Sequence, residues 1–234
     1  NNYSFLPINR DTMSEVRLIQ DDGTGAATAE LQLCTAHWYG GNAGQSCANT
    51  VESISKLFGG LKIDGYYAIP MDEIPKLNHS VGGVTVTLLE DFQDIDRQMK
   101  KGETLALSDE QAYHYIHDRY GVGDEKNTSR MKRQQQYMEA FFTKAKEKAK
   151  SDKAYVSQLF RKFEQTATTN LTAKKISGLT NRLIKGTQKG FFEIQGTSKI
   201  GKALGDGIDH AEFYPDKESI IDVMTKIYGL KKRE

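Results

Sequence analysis

The sequence predicts an α/β layered domain, and three observations carry that prediction. Short β-branched or aromatic runs alternate with amphipathic stretches along the whole chain. Glycine pairs and polar clusters punctuate the runs. The composition is that of a soluble globular chain: 234 residues, 38% hydrophobic and 27% charged, with 4 prolines.

The elements follow in order. Residues 3–9 read as a strand through Tyr3-Ser4-Phe5-Leu6-Pro7-Ile8. Asp21-Asp22-Gly23-Thr24-Gly25 is a turn. Residues 29–35 alternate weakly and pair back as a second strand. Gly40-Gly41-Asn42 opens a helix whose Val51, Ile54, Leu57 and Phe58 keep helical spacing, and Gly59-Gly60 ends it. Tyr66-Tyr67-Ala68-Ile69 is nearly continuous in apolar character, as a central strand would be. Met71 to Asn78 is a short helix with Pro70 near its first turn. Gly82-Gly83 lead into the β-branched strand Val84 to Leu88. Ser108 caps a helix that runs to about Tyr115, and Gln111 completes a capping box. A polar loop, Asp118 to Asn127, precedes a long helix from Thr128 to Lys150 with Met131, Met138, Phe142 and Ala145 as its apolar stripe. Helices fit residues 152–165 and 172–185, and Phe191 to Ile194 is a short strand. The last helix begins at Asp216, with Ile220, Ile221, Met224, Ile227 and Tyr228 on one face.

Lys+Arg 32 against Asp+Glu 31 gives a net charge of +1, so no whole-chain bias points to nucleic acid or an anionic membrane. Any basic site must be local. No apolar run approaches the ~18–20 residues that span a bilayer. The first residue is Asn1 and a strand follows at once, so an anchor or signal is expected upstream. Cys34 and Cys47 leave two readings open. They are two small buried thiols, or a disulfide worth roughly 3 kcal/mol that implies an oxidising compartment. Asp94-Ile95-Asp96 has a metal-binding spacing but lies in a charged stretch and reads as a solvated loop. Gly23-Thr24-Gly25 lacks the third glycine of a dinucleotide loop. No H-x-x-x-H pair or G-x-S-x-G elbow occurs. The basic end Lys144 to Lys150 suits its helix dipole.

The stretch from Tyr113 to Tyr137 carries the chemistry. Arg130, Arg133, Gln134 and Tyr137 are spaced i, i+3, i+4, i+7 and share a helix face. Asn127, Thr128 and Ser129 are all good caps, which puts Arg130 in the first turn. Guanidiniums at a helix N-terminus make an anion site suited to phosphate oxygens. Arg119 lies across a short loop and can return to the same place. The alternative is a solvated basic face paired with Glu139 or Asp124.

At these residues the sequence resembles the LytR-CpsA-Psr family of bacterial cell-envelope proteins. The resemblance rests on Arg119, Asp124 and Arg130-Met131-Lys132-Arg133-Gln134; on Asn9-Arg10-Asp11-Thr12 after a strand; on Tyr39-Gly40-Gly41 followed by Thr50-Val51-Glu52; and on Gly82-Gly83-Val84. These motifs stand in the family's order over roughly residues 5 to 142. His117 occupies the first position of a common R-x-R, and Gln32-Leu33-Cys34-Thr35 stands where K-L-N-H is usual.

The resemblance implies a three-layer α-β-α sandwich with a mixed central sheet, a strand or two of which is expected upstream of Asn1. Residues 1–150 would form the catalytic-like domain and 151–234 a C-terminal helical extension packed on it. The implied activity is a phosphotransferase. It moves a glycopolymer with one phosphate from a polyprenyl-pyrophosphate carrier to peptidoglycan, outside the cytoplasm and anchored to the membrane by a segment outside this chain. Arg10, Arg119 and Arg130 would be catalytic; Arg133, Gln134, Asp124 and Asp11 would bind substrate. Magnesium is implied as cofactor, with its aspartate ligands upstream of Asn1. Two other classes stay open: a non-catalytic binder of lipid-linked wall glycan, and a nucleic-acid-binding regulator. The near-neutral charge argues against the second.

Overall fold

The structure is a computed structural model that describes residues 2–25 and 27–229. It is of mixed α/β class, as the alternation predicts. Two compact units form: one from Asn2–Ala68, Thr168–Leu171 and the chain from Gln188 on, the other from Ile69–Ala167 and Thr172–Thr187.

The first unit holds β1 (Asn2–Phe5), β2 (Met13–Leu18), β3 (Ala27–Gln32), α1 (Ala43–Leu57), β4 (Tyr67–Ala68), β7 (Thr168–Thr169), β8 (Thr187–Phe191), β9 (Gly196–Gly201), β10 (His210–Pro215) and α7 (Lys217–Tyr228). Its strands pair in twos: β1 with β8, β2 with β3, β4 with β7, β9 with β10. The last three pairs are antiparallel. A parallel bridge joins Thr12 to Phe213, where the Phe213 N–H donates to the Asp11 carbonyl at 2.8 Å.

The strand expected over residues 3–9 stops at Phe5. Pro7 has no N–H to give to a ladder. Beyond the turn at Asn9–Thr12 comes β2, which the sequence did not announce because Ser14 and Glu15 interrupt its apolar side. Its partner β3 ends at Gln32, and Leu33–Trp38 winds into a 3₁₀ turn where a strand was expected to continue. Val16, Leu31 and Ala36 form the core of this corner.

α1 begins as its motif predicts. The Asn42 side chain accepts from the Gln45 N–H at 3.0 Å, and the Gln45 carboxamide oxygen accepts from the Gly41 N–H at 2.9 Å. Gly40 has φ +137°, and a Cβ there would lie 2.8 Å from the Ser46 nitrogen. Only glycine permits that close approach. Asn49 is buried and donates to the Arg17 and Ala36 carbonyls, tying the helix to β2 and the 3₁₀ turn. β9 and β10 are further strands the sequence did not announce, since Gly196-Thr197-Ser198-Lys199 carries little β signal. In α7 only Val223 is buried, and Ile221 and Tyr228 of the expected apolar face are exposed.

Cys34 and Cys47 are both free, which settles the pair as thiols in this fold. Burial pushes the Cys47 thiol above its ordinary pKa, so it is held in the less reactive, protonated form. Titration of the unreduced, denatured protein is expected to find two thiols; finding none would show a bridge.

The second unit holds α2 (Ile74–Ser80), β5 (Thr85–Thr87), β6 (Thr104–Ala106), α3 (Asp109–His117), α4 (Asn127–Ser151), α5 (Tyr155–Lys162) and α6 (Ala173–Lys185). β5 and β6 pair antiparallel. Asn78, fully buried, ties the unit together: its amide donates to the Leu107 carbonyl and to Asp109, while its oxygen accepts from the Val84 N–H and from the Tyr137 hydroxyl. The capping box of α3 forms as read: Ser108 accepts from the Gln111 N–H, and Gln111 accepts from the Ser108 N–H.

The face that α4 buries is a correction. Asn127, Arg133, Tyr137, Phe141 and Ala149 are the buried positions, and the expected stripe of Met131, Met138, Phe142 and Ala145 is only partly covered. The i, i+4, i+8 row through Arg133 packs inward because Glu90 waits inside to neutralise it.

Candidate functional site

The loop between α3 and α4 and the two helix ends that flank it gather most of the predicted residues in one place. Asp124 closes the start of α4. Its carboxylate accepts from the Lys126 N–H at 3.0 Å and from the Ser129 side chain. Those bonds, the Lys126 one foremost, hold the Asp124 carboxyl below its ordinary pKa. The cap expected from Asn127, Thr128 or Ser129 does not form: the helix starts after Lys126 with no side-chain cap bond.

Arg130 stands in the first turn of α4. It donates to the His117 carbonyl at 3.3 Å and to the Asn127 side-chain oxygen at 2.6 Å. Arg119 lies on the loop, its guanidinium 4.5 Å from the Tyr120 ring centre and hydrogen-bonded to the Tyr120 hydroxyl. Its Nε–H is buried with no hydrogen-bond acceptor among the described residues. A buried donor left that way costs about 1–3 kcal/mol unless a ligand or water meets it.

Arg133 is 1% exposed. Its Nε sits 2.8 Å from the Glu90 carboxylate, and its terminal nitrogens donate to the Tyr115 and Asp118 carbonyls. The guanidinium also lies 5.0 Å from the Phe92 ring centre. Burial lowers its pKa while Glu90 works the other way, and an arginine so far above neutrality stays charged. Every arm of this residue is committed to holding the α3 C-terminus against α4. Gln134 does similar work, donating to the Ile116 carbonyl at 2.9 Å. Burial pushes the Tyr115 hydroxyl up to about 12, and it donates to Gln136.

Gly123 explains how the loop closes over this pair. Its φ is +56°, and a Cβ there would lie 2.0 Å from a Glu90 carboxylate oxygen. Gly123→Ala is expected to lower stability by about 1–3 kcal/mol through strain and displacement of Glu90. Gly121 also has positive φ but open space around it. Gly121→Ala serves as the control, and equal melting temperatures for the two variants would show that the approach to Glu90 contributes nothing.

At the C-terminus of α3, the Asp118 carboxylate takes Nδ1 of His114 at 2.7 Å on one oxygen and Nδ1 of His117 at 2.8 Å on the other. Burial works against the Asp118 charge, but the bonds from His117 and His114 outweigh it and keep its pKa below the ordinary value. Sequence reasoning missed this cluster; the H-D step at His117-Asp118 is its only local sign.

Arg10 and Asp11 belong to the other unit. Arg10 is half-exposed, its Nε 3.7 Å from the Asp11 carboxylate and a terminal nitrogen 3.5 Å from the Cys34 sulfur. The turn that presents it is pinned on both sides: the Cys34 N–H donates to the Arg10 carbonyl and the Leu33 N–H to that of Thr12.

The second unit also carries a groove of about 670 Å³ between the end of α4, α5 and α6, with Val156, Phe160, Ile176 and Ile184 lining it. Among the described residues no helix is long and apolar enough to cross a membrane. Nor do any three or more His, Cys, Asp or Glu stand where they could hold a metal ion. Asp94 and Asp96 do not form such a group; Asp96 instead accepts from Gln111 and from the Gln98 N–H.

The LytR_cpsA_psr family model matches residues 1–227. The chain belongs to that family. Solved structures share its fold: B. subtilis TagV at 20% identity and TM-score 0.69, covering 96% of this chain and 82% of TagV. TagT bound to LIIa-WTA is 20% identical over 97% of this chain and 79% of its own, with TM-score 0.68. A transcriptional regulator from Enterococcus faecalis is 19% identical over 98% and 78%, with TM-score 0.69. No curated protein sequence matches the chain. The arginine-bearing loop and the first turn of α4 are thus those of a LytR_cpsA_psr domain.

Proposed function

We propose that this protein transfers a cell-wall glycopolymer, together with one phosphate, from a polyprenyl-pyrophosphate carrier to a hydroxyl of peptidoglycan. The observation that carries the reading is the buried, unmet Nε–H of Arg119 on the loop beside the first-turn guanidinium of Arg130. Family membership and the fold shared with TagT, whose solved complex holds LIIa-WTA, support it.

The chemistry follows from charge. The acceptor oxygen forms a bond to the phosphorus next to the glycan, and the bond from that phosphorus to the bridging oxygen breaks. Polyprenyl phosphate departs with the electron pair, and the acceptor's proton is released. Negative charge grows on the bridging and equatorial oxygens, so fixed cations placed there lower the barrier. We assign that role to Arg119 and Arg130. Arg133 and Gln134 act as positioning residues, since they hold the α3 end against α4. Asp124 and Asp11 hold their neighbours in place. The groove beside α5 and α6 suits an isoprenoid tail. Magnesium is proposed as the family's cation, and no step here runs through it. The reaction belongs outside the cytoplasm, where peptidoglycan is, with membrane attachment through a segment other than residues 1–234.

The test incubates the protein with a labelled polyprenyl-pyrophosphate-linked saccharide, uncrosslinked peptidoglycan oligomers and magnesium. Attached label with release of polyprenyl phosphate is expected, and Arg119→Ala is expected to reduce it at least tenfold. Tight binding of the lipid-linked saccharide without any release would make the protein a binder instead.

A further inference from the structure

The His114–Asp118–His117 cluster lies beside the proposed anion site and has no part in the chemistry above. Each Asp118 oxygen accepts from one imidazole Nδ1, so both rings carry their proton on that nitrogen and keep Nε2 for a second. His117 also stacks on Tyr113, ring centres 4.7 Å apart, which holds its plane. Its carbonyl is the acceptor of Arg130.

The charges around the cluster are accounted for. From α3, Glu110 lies 3.9 Å from Nε2 of His114. From the loop come Asp118 itself, Arg119 and, further along, Asp124. From α4 come Arg130, and Arg133 with its own partner Glu90. Arg133 meets Asp118 through the backbone carbonyl, and the ion pairs of the Asp118 carboxylate are those with the two histidines. With both imidazoles neutral, the three groups together carry one negative charge next to a site for an anion. With both protonated they carry one positive charge. The histidines are half-exposed or nearly so, with side-chain exposures of 27% for His114 and 44% for His117, so protons reach them.

We infer that His114 and His117, oriented by Asp118, are the titratable cations of the pyrophosphate site, so that the protein binds its substrate more tightly when both are protonated. The inference rests on the proposed function, because it takes the loop beside Arg119 and Arg130 as the place where the pyrophosphate lies. The sign follows from linkage. A bound anion favours the protonated rings, so affinity rises as pH falls. A coupling of roughly tenfold in affinity is expected between ring protonation and anion binding.

The probe must keep its own charge. A pyrophosphate diester bearing a farnesyl chain on one side and N-acetylglucosamine on the other stays doubly ionised through this range. Its affinity for the full chain is measured from about pH 5 to about pH 8. The wild type is expected to bind roughly tenfold more tightly at the acidic end. The double variant His114→Gln with His117→Gln is expected to flatten that profile near the weak alkaline value, and His117→Gln alone to reduce its span. Asp118→Asn is expected to strengthen alkaline binding, which a purely structural role would not do. A flat wild-type profile, with binding still weakened in Arg130→Ala, overturns the histidine role and leaves the site standing. Binding that Arg130→Ala and Arg119→Ala do not touch overturns the site itself, and the histidine role with it.

Discussion

Replacing Arg133 with alanine is expected to cost about 3–5 kcal/mol, because it leaves the Glu90 carboxylate buried without its partner. For a chain of this size that corresponds to a fall in Tm on the order of 10 °C. The loss has three parts: the ion pair with Glu90, the two hydrogen bonds to the Tyr115 and Asp118 carbonyls, and the packing against the Phe92 ring. The ion pair is the largest, since an unpaired charge out of water is costlier than an unmet carbonyl. A second variant separates the parts. Arg133→Met with Glu90→Leu removes both charges and fills the space, so it is expected to recover part of the loss. A double variant as unstable as Arg133→Ala would show that the ion pair is not what the site needs.

Arg130→Ala is expected to do the reverse. Its guanidinium makes two hydrogen bonds from a partly covered position, so the fold should lose only about 1 kcal/mol. Binding of a polyprenyl-pyrophosphate-linked saccharide should weaken by about 1.5–3 kcal/mol for each charge-assisted hydrogen bond to phosphate that the substitution removes, and transfer should be abolished. That is roughly ten- to 150-fold in affinity. Melting curves and binding isotherms on the same samples decide it. A large fall in Tm with unchanged binding would place Arg130 with Arg133 among the residues that hold the loop. The two arginines are three apart in sequence, and the experiment asks which of them meets the substrate.

The contrast between them shows where sequence reading stops. Spacing puts Arg130, Arg133, Gln134 and Tyr137 on one helix face, and the structure agrees that they are neighbours. Spacing does not say whether that face looks outward or inward. The answer depends on Glu90, which lies 43 residues before Arg133. With a carboxylate waiting inside, the row through Arg133 and Tyr137 is buried and the methionine row is left half-covered. The close approach of Gly123 to Glu90 is of the same kind, since the glycine announces only a turn until its neighbour is known.

What the sequence by itself determined about this protein is local or compositional. The capping box at Ser108 and Gln111, the Asn42 cap of α1, the glycine stop at Gly59 and the long polar helix all act within a few residues, so their signals are complete in the chain. The ordered motifs around Arg10, Tyr39, Gly82 and Arg130 were enough to point to the family that the comparisons establish. Tertiary structure alone decided the pairing of β2, β9 and β10 and the burial of Arg133. Each of these is settled by a partner that neighbouring sequence does not supply: a facing strand or a buried carboxylate. Free energy there comes from desolvation and pairing between groups brought together by the fold, and neither periodicity nor propensity carries that information.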